Sequence, residues 1–140
     1  MKTWLLDTGP LVALLDASAP AHDRASAAIS SFHGILLTTG AVLTEAFYLL
    51  RYADGGGKGL AEFIAHTGTS MVDVFGLEEL GKIAELMEKY ADLPMDFADG
   101  SLVLIAEERN VSEVLTLDER GFRAYRFRGV RRFRLPIQDG

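Results

Sequence analysis

Four short apolar segments, Trp4–Leu6, Ile35–Thr39, Met71–Phe75 and Val114–Leu117, recur along the chain, each separated from the next by stretches of helical hydrophobic period. A brief apolar run bounded by glycine, threonine or an acid is the pattern of a strand buried on both faces. Between these runs, Ala25, Ala28, Ile29 and Phe32 fall at helical spacing, as do Val42, Leu43, Ala46, Phe47, Leu49 and Leu50, and then Leu80, Ile83, Ala84, Leu86 and Met87. Leu11–Leu15, Leu60–His66 and Asp96–Arg109 complete the helical segments. Strands separated by helices pair in parallel and need cover on both faces. The pattern therefore predicts an α/β fold, a three-layer α/β/α arrangement around a mainly parallel sheet of four to five strands. Asp54–Gly59 is the one evident loop, too short for a domain linker, and Ala124–Ile137, which alternates aromatic residues with arginine, is predicted to be extended. With 140 residues, 49% of them hydrophobic, and no internal repeat, residues 1–140 read as one domain that buries a real core.

No apolar run exceeds five residues, far below the roughly 20 that a spanning helix needs. Asp7 interrupts the opening apolar residues before a signal peptide could form, so the start reads as a native terminus and the expected location is the cytoplasm, with no membrane partner. The absence of cysteine excludes disulfides, thiolate nucleophiles, zinc ribbons and iron–sulfur clusters. His22, His33 and His66 are scattered, with no pair at metal-ligand spacing. Any metal must then be held on oxygen. The glycine run before Lys58 lacks the spacing of a phosphate-binding loop, because position 59 is glycine where a serine or threonine should stand.

The acids fall where a parallel sheet binds ligands, just beyond the carboxyl ends of its strands. Asp7 follows the first strand and Asp118 the fourth, Glu45 lies in the first turns of the helix after the second, and Asp96 and Asp99 stand three apart at the start of a helix. If the four segments converge, like charges about 4 Å apart repel by about 4 kcal/mol per pair at an effective dielectric of 20. Such a cluster needs a hard cation, Mg²⁺ or Mn²⁺, and in-line phosphodiester hydrolysis is the chemistry that fits. Thr8 and Thr116 would supply hydroxyls near the ion. Each residue has a structural alternative: Asp96 fits a helix N-cap with Asp99 favoured by the macrodipole, Asp118 fits the start of a turn, and Glu45 fits a solvated helix face. Asp7 is the hardest to explain this way, because a lone acid at the end of a buried strand is costly to leave unpaired.

Charge is unevenly distributed. The net −6 combines −12 over residues 1–119 with +6 over residues 120–140, where Arg120, Arg123, Arg126, Arg128, Arg131, Arg132 and Arg134 face the single acid Asp139. Arginines interleaved with Phe122, Tyr125, Phe127 and Phe133 suit contact with phosphates or bases. They equally suit a solvated final segment that offsets an acidic body.

Taken together, Leu5-Leu6-Asp7-Thr8-Gly9-Pro10-Leu11, Leu43-Thr44-Glu45, Met95-Asp96-Phe97-Ala98-Asp99-Gly100-Ser101-Leu102, and Leu115-Thr116-Leu117-Asp118 with Phe122 resemble the PIN-domain ribonucleases, particularly the VapC-like toxins of prokaryotic toxin–antitoxin pairs. The resemblance spans nearly the whole chain and implies a PIN-like fold and a metal-dependent endoribonuclease. Asp7, Glu45, Asp99 and Asp118 would surround Mg²⁺ or Mn²⁺, with Asp7 and Asp99 as principal ligands and Asp96 as an additional acid. It also implies an RNA substrate, a homodimer and a small antitoxin protein. Arg120, Arg123, Arg126, Arg128, Arg131 and Arg132, with Lys58, are the residues expected along the RNA backbone. The rival readings are a non-catalytic RNA- or protein-binding module of the same fold and an RNA-maturation nuclease outside toxin–antitoxin systems. Gly100 departs from the family, which usually has alanine there, and glycine within a helix costs about 1 kcal/mol.

Overall fold

The first strand, β1 (Lys2–Leu6), occupies an inner position of its sheet, where Leu5 and Leu6 have no exposed surface. A computed structural model describes residues 1–140. β1 pairs in parallel with β2 (Gly34–Thr39) on one side, Thr3 opposite Ile35 and Leu5 opposite Leu37, and with β4 (Val114–Leu115) on the other. β3 (Ser70–Val72) adds to the outer edge of β2, giving the order β3-β2-β1-β4. Arg134 extends the sheet by one parallel bridge beyond β4, its N–H donating to the Ser112 carbonyl at 2.8 Å and its carbonyl accepting from Val114 N–H at 3.0 Å.

The connections are helical throughout. α1 (Thr8–Leu15) and α2 (His22–Ser30) link β1 to β2, α3 (Gly40–Leu49) and α4 (Gly56–Thr67) link β2 to β3, and α5 (Leu77–Lys89) and α6 (Phe97–Arg109) return the chain to β4. The chain runs outward from β1 to β3 and then back to β4, so crossovers of the usual right hand put helices on both faces of the sheet. The order reverses between β1 and β4, so the carboxyl ends of these two strands flank the switch point at which open α/β sheets bind ligands. Ala98 and Gly100–Ala106 of α6 are buried, and α6 packs on α5 closely enough that a Cβ on Gly100 would stand 2.9 Å from Ile83 Cγ2. That contact accounts for the glycine.

Three segments differ from the sequence-based expectation. The strand expected over Met71–Phe75 covers Ser70–Val72, and of its apolar residues Val74 is buried beyond the strand while Met71 and Phe75 are exposed. The loop expected over Asp54–Gly59 ends early: Gly55 and Gly56 take positive φ values of 83° and 50°, and α4 then begins, with Lys58 in its first turn. The segment Ala124–Ile137 is not one extended stretch. The short helix α7 (Glu119–Ala124) runs into an antiparallel hairpin of β5 (Arg126–Phe127) and β6 (Arg131–Arg132), turned by Arg128 and Gly129 at positive φ, and the chain closes with α8 (Pro136–Asp139). Phe122, Tyr125, Phe127 and Phe133 point into the core, stacked edge to face or tilted on one another, and the arginines between them point outward.

Candidate active site

Three helix N-termini meet at the carboxyl edge of the sheet, and each is capped by one of the acids. Asp7 caps α1: one carboxylate oxygen accepts from Thr8 N–H at 2.8 Å and the other from the Thr116 hydroxyl at 2.6 Å. Thr116, just beyond β4, also accepts from Asp118 N–H at 2.9 Å, so a single buried hydroxyl ties the ends of β1 and β4 together. Asp118 caps α7 through Gly121 N–H at 3.1 Å. Asp96 and Asp99 form a reciprocal capping box on α6, Asp96 accepting from Asp99 N–H at 2.8 Å and Asp99 from Asp96 N–H at 3.2 Å. The N-cap reading of Asp96 therefore holds, Asp118 caps a short helix where a turn was expected, and both line one space with the other acids. A helix N-terminus also favours a nearby negative charge.

That space is a cavity of about 410 Å³ walled by Asp7, Thr8, Glu45, Asp96, Asp99 and Asp118 with Gly9, Leu49 and Leu117, and no basic side chain lines it. Glu45 enters from α3, half-buried. α3 is set against α6 by a buried hydroxyl pair that sequence reasoning missed, Thr39 with Ser101 at 2.9 Å, and Thr38 straps β2 to the Leu6 carbonyl at 2.9 Å. The electrostatics follow from burial without counter-charge. Desolvation, offset in part by the Thr116 and Thr8 hydrogen bonds and increased by Asp96 and Asp118, pushes Asp7 up to about 6. Asp99 is also pushed well above the usual carboxylate range, first by burial and then by the charges of Asp7 and Asp96.

No protein-family model matches the chain. It is 32% identical over 130 residues to Ribonuclease VapC26 of Mycobacterium tuberculosis, an alignment covering 92% of this chain and 96% of that protein. The chain belongs to the VapC family of PIN-domain ribonucleases. The crystal structure of Mycobacterium tuberculosis VapC20, a sarcin–ricin loop cleaving toxin, superimposes with a TM-score of 0.71 at 19% identity, over 82% of this chain and 89% of that one. The VapC-like α/β fold inferred from the sequence is thus the fold observed.

Within this VapC fold the donor set suits a hard divalent cation. All the cavity's ligands are oxygen, and His22 and His66 bond backbone carbonyls of Ala13 and Glu62 instead. Two buried hydroxyls beside the acids have no hydrogen-bond partner, Thr8 Oγ1 and Tyr125 Oη. No three acidic side chains close on one point as they stand. Capping and hydroxyl contacts fix the carboxylates of Asp7, Asp96, Asp99 and Asp118 one by one.

The basic residues are not gathered at this VapC site. Arg123 pairs with Asp139 at 2.6 Å and Glu119 at 3.5 Å, and Arg126 caps the carbonyls of Arg123, Ala124 and Tyr125. Arg128 bonds the Glu107 carbonyl at 2.8 Å and Arg131 the Asn110 side chain. Those anchors lie at the far end of α6, about 12–16 Å along its axis from Asp99 at 1.5 Å per residue. Arg120, Arg132 and Lys58 are exposed and carry no ion pair.

Proposed function

We propose that this VapC-family chain is the endoribonuclease toxin of a toxin–antitoxin pair, hydrolysing RNA phosphodiester bonds at the carboxylate cavity with Mg²⁺ or Mn²⁺. The observation that carries the reading is the convergence of Asp7, Glu45, Asp96, Asp99 and Asp118 on one space without a basic side chain. When bound, such a cation supplies Lewis acidity, acidifying water and offsetting charge that develops on the phosphate. Asp7 and Asp99, set deeper than Asp118, would hold it. Glu45 and Asp118 would orient the attacking water or complete a second ion's site. Asp96 supports Asp99 through the capping box, Thr116 fixes Asp7, and the unpartnered Thr8 hydroxyl offers one further oxygen.

Arg120, two residues beyond Asp118, is the basic group best placed to meet the RNA backbone, with Lys58 and Arg132 as more distant contacts. Tyr48, Leu49, Tyr52, Phe75 and Leu77 expose apolar surface along α3 and beyond β3, as a face covered by a second copy or by an antitoxin would. No helix is long and apolar enough to cross a membrane, and a cytoplasmic activity fits an RNA substrate. The deciding experiment is cleavage of mixed single-stranded and structured RNAs in Mn²⁺ by the isolated protein, with EDTA and Asp7→Asn as controls. Loss of cleavage in both controls supports the reading. Absence of cleavage together with no saturable Mn²⁺ binding would instead favour a non-catalytic binding module.

A further inference from the structure

Tyr125 has no exposed surface, and its hydroxyl has no hydrogen-bond partner. Its ring is clamped edge to face by Tyr90 and Phe122, each with centroids 5.0 Å away, and its N–H donates to the Gly121 carbonyl at 3.0 Å. A side chain held in this way cannot swing its hydroxyl elsewhere. The hydroxyl and the Asp118 carboxylate flank one point, the place where Gly121 lacks a Cβ: such an atom would stand 2.9 Å from Tyr125 Oη and 2.3 Å from Asp118 Oδ2. Asp118 Oδ1 accepts from Gly121 N–H, and Oδ2 has no donor. This unpaired donor and the unpaired oxygen of Asp118 thus sit within reach of a single bridging water.

We infer that Tyr125 is a positioning residue of the carboxylate site, donating its hydroxyl proton to Asp118 Oδ2, directly or through one water, and so fixing the direction in which Asp118 points when a cation is held. The inference rests on the cation-holding reading of the cavity. A phenol keeps its proton at neutral pH, so toward a carboxylate the hydroxyl acts as a donor. The spacing Asp118, Gly121, Tyr125 places the three along one face of α7 and its cap, a pattern readable in the sequence once α7 is known.

Calorimetric titration with Mn²⁺ of the wild-type protein and the Tyr125→Phe, Asp118→Asn, double and Asp99→Asn variants tests this. Tyr125→Phe keeps the clamped ring and is expected to melt no lower than wild type, yet to bind Mn²⁺ about 10-fold more weakly, as loss of a partner behind a metal ligand does. In the Asp118→Asn background the same change is expected to have no further effect. Gly121→Ala, whose methyl fills the space between the phenol hydroxyl and Asp118 Oδ2, is expected to weaken Mn²⁺ binding comparably. If wild type and Tyr125→Phe bind alike while Asp99→Asn does not bind, the inference fails and the cation site stands. If wild type binds no Mn²⁺, the site reading fails and takes the inference with it.

Discussion

Asp7→Asn is expected to stabilise the metal-free protein at neutral and alkaline pH while abolishing its activity. The carboxyl is 6% exposed and its pKa is raised from 3.8 to about 6. The raised value means that ionisation is penalised in the folded state. Below pH 3.8 both states are protonated and nothing is lost; as pH rises through 6 the unfolded chain has released its proton, and stability falls by about 3 kcal/mol in total. Asparagine caps a helix as well as aspartate does, but its amide offers an acceptor to only one of the Thr8 and Thr116 donors, a loss of about 1 kcal/mol. The variant should therefore match wild type near pH 4.5 and exceed it by about 2 kcal/mol at pH 8. Removing this charge also relieves Asp99, whose pKa Asp7 helps to raise, and widens the difference. Urea unfolding in EDTA at intervals from pH 4.5 to 8 measures this directly. Parallel stability curves for the two proteins over that range would refute the claim that Asp7 is a desolvated, uncompensated charge.

Millimolar Mn²⁺ at pH 8 should raise the melting temperature of wild type and leave that of Asp99→Asn unchanged, since a ligand stabilises only the state that binds it. Gly100→Ala gains helix propensity but drives a methyl to 2.9 Å from the buried Ile83 Cγ2, a branch with no free end to move; urea unfolding should show a net loss of about 1 kcal/mol. Arg120→Ala should lower RNA cleavage severalfold and flatten its salt dependence, whereas a double Arg128→Ala, Arg131→Ala variant, altered only at the far end of α6, should cleave at the wild-type rate.

The parts of the fold legible in the sequence were those whose signal is local. Trp4-Leu5-Leu6 and Leu36-Leu37-Thr38-Thr39 read as buried strands because inner parallel strands have no solvated face, and Asp96 was legible as an N-cap because a cap and its partner lie within four residues. Met71–Phe75 misled because a short apolar run does not distinguish an inner strand from an edge: Met71 and Phe75 are exposed there. In the arginine-rich segment the inward and outward alternation was legible and the turn at Arg128 was not, since arginine at positive φ has no local signature. Glu45 was legible as a residue and not as a direction. The hydroxyl of Thr116 reaches Asp7 across 109 residues of chain, and that of Thr39 reaches Ser101 across 62, distances at which no spacing rule operates.

The short helix α8 does more than cover the surface. Gln138 Nε2 donates to the carbonyl of Thr116 at 3.1 Å, and Asp139 is locked to Arg123 and to Leu135 N–H. The residue that orients Asp7 is therefore buttressed from α8. Deleting Pro136–Gly140 would loosen the support of a carboxylate that this segment never touches.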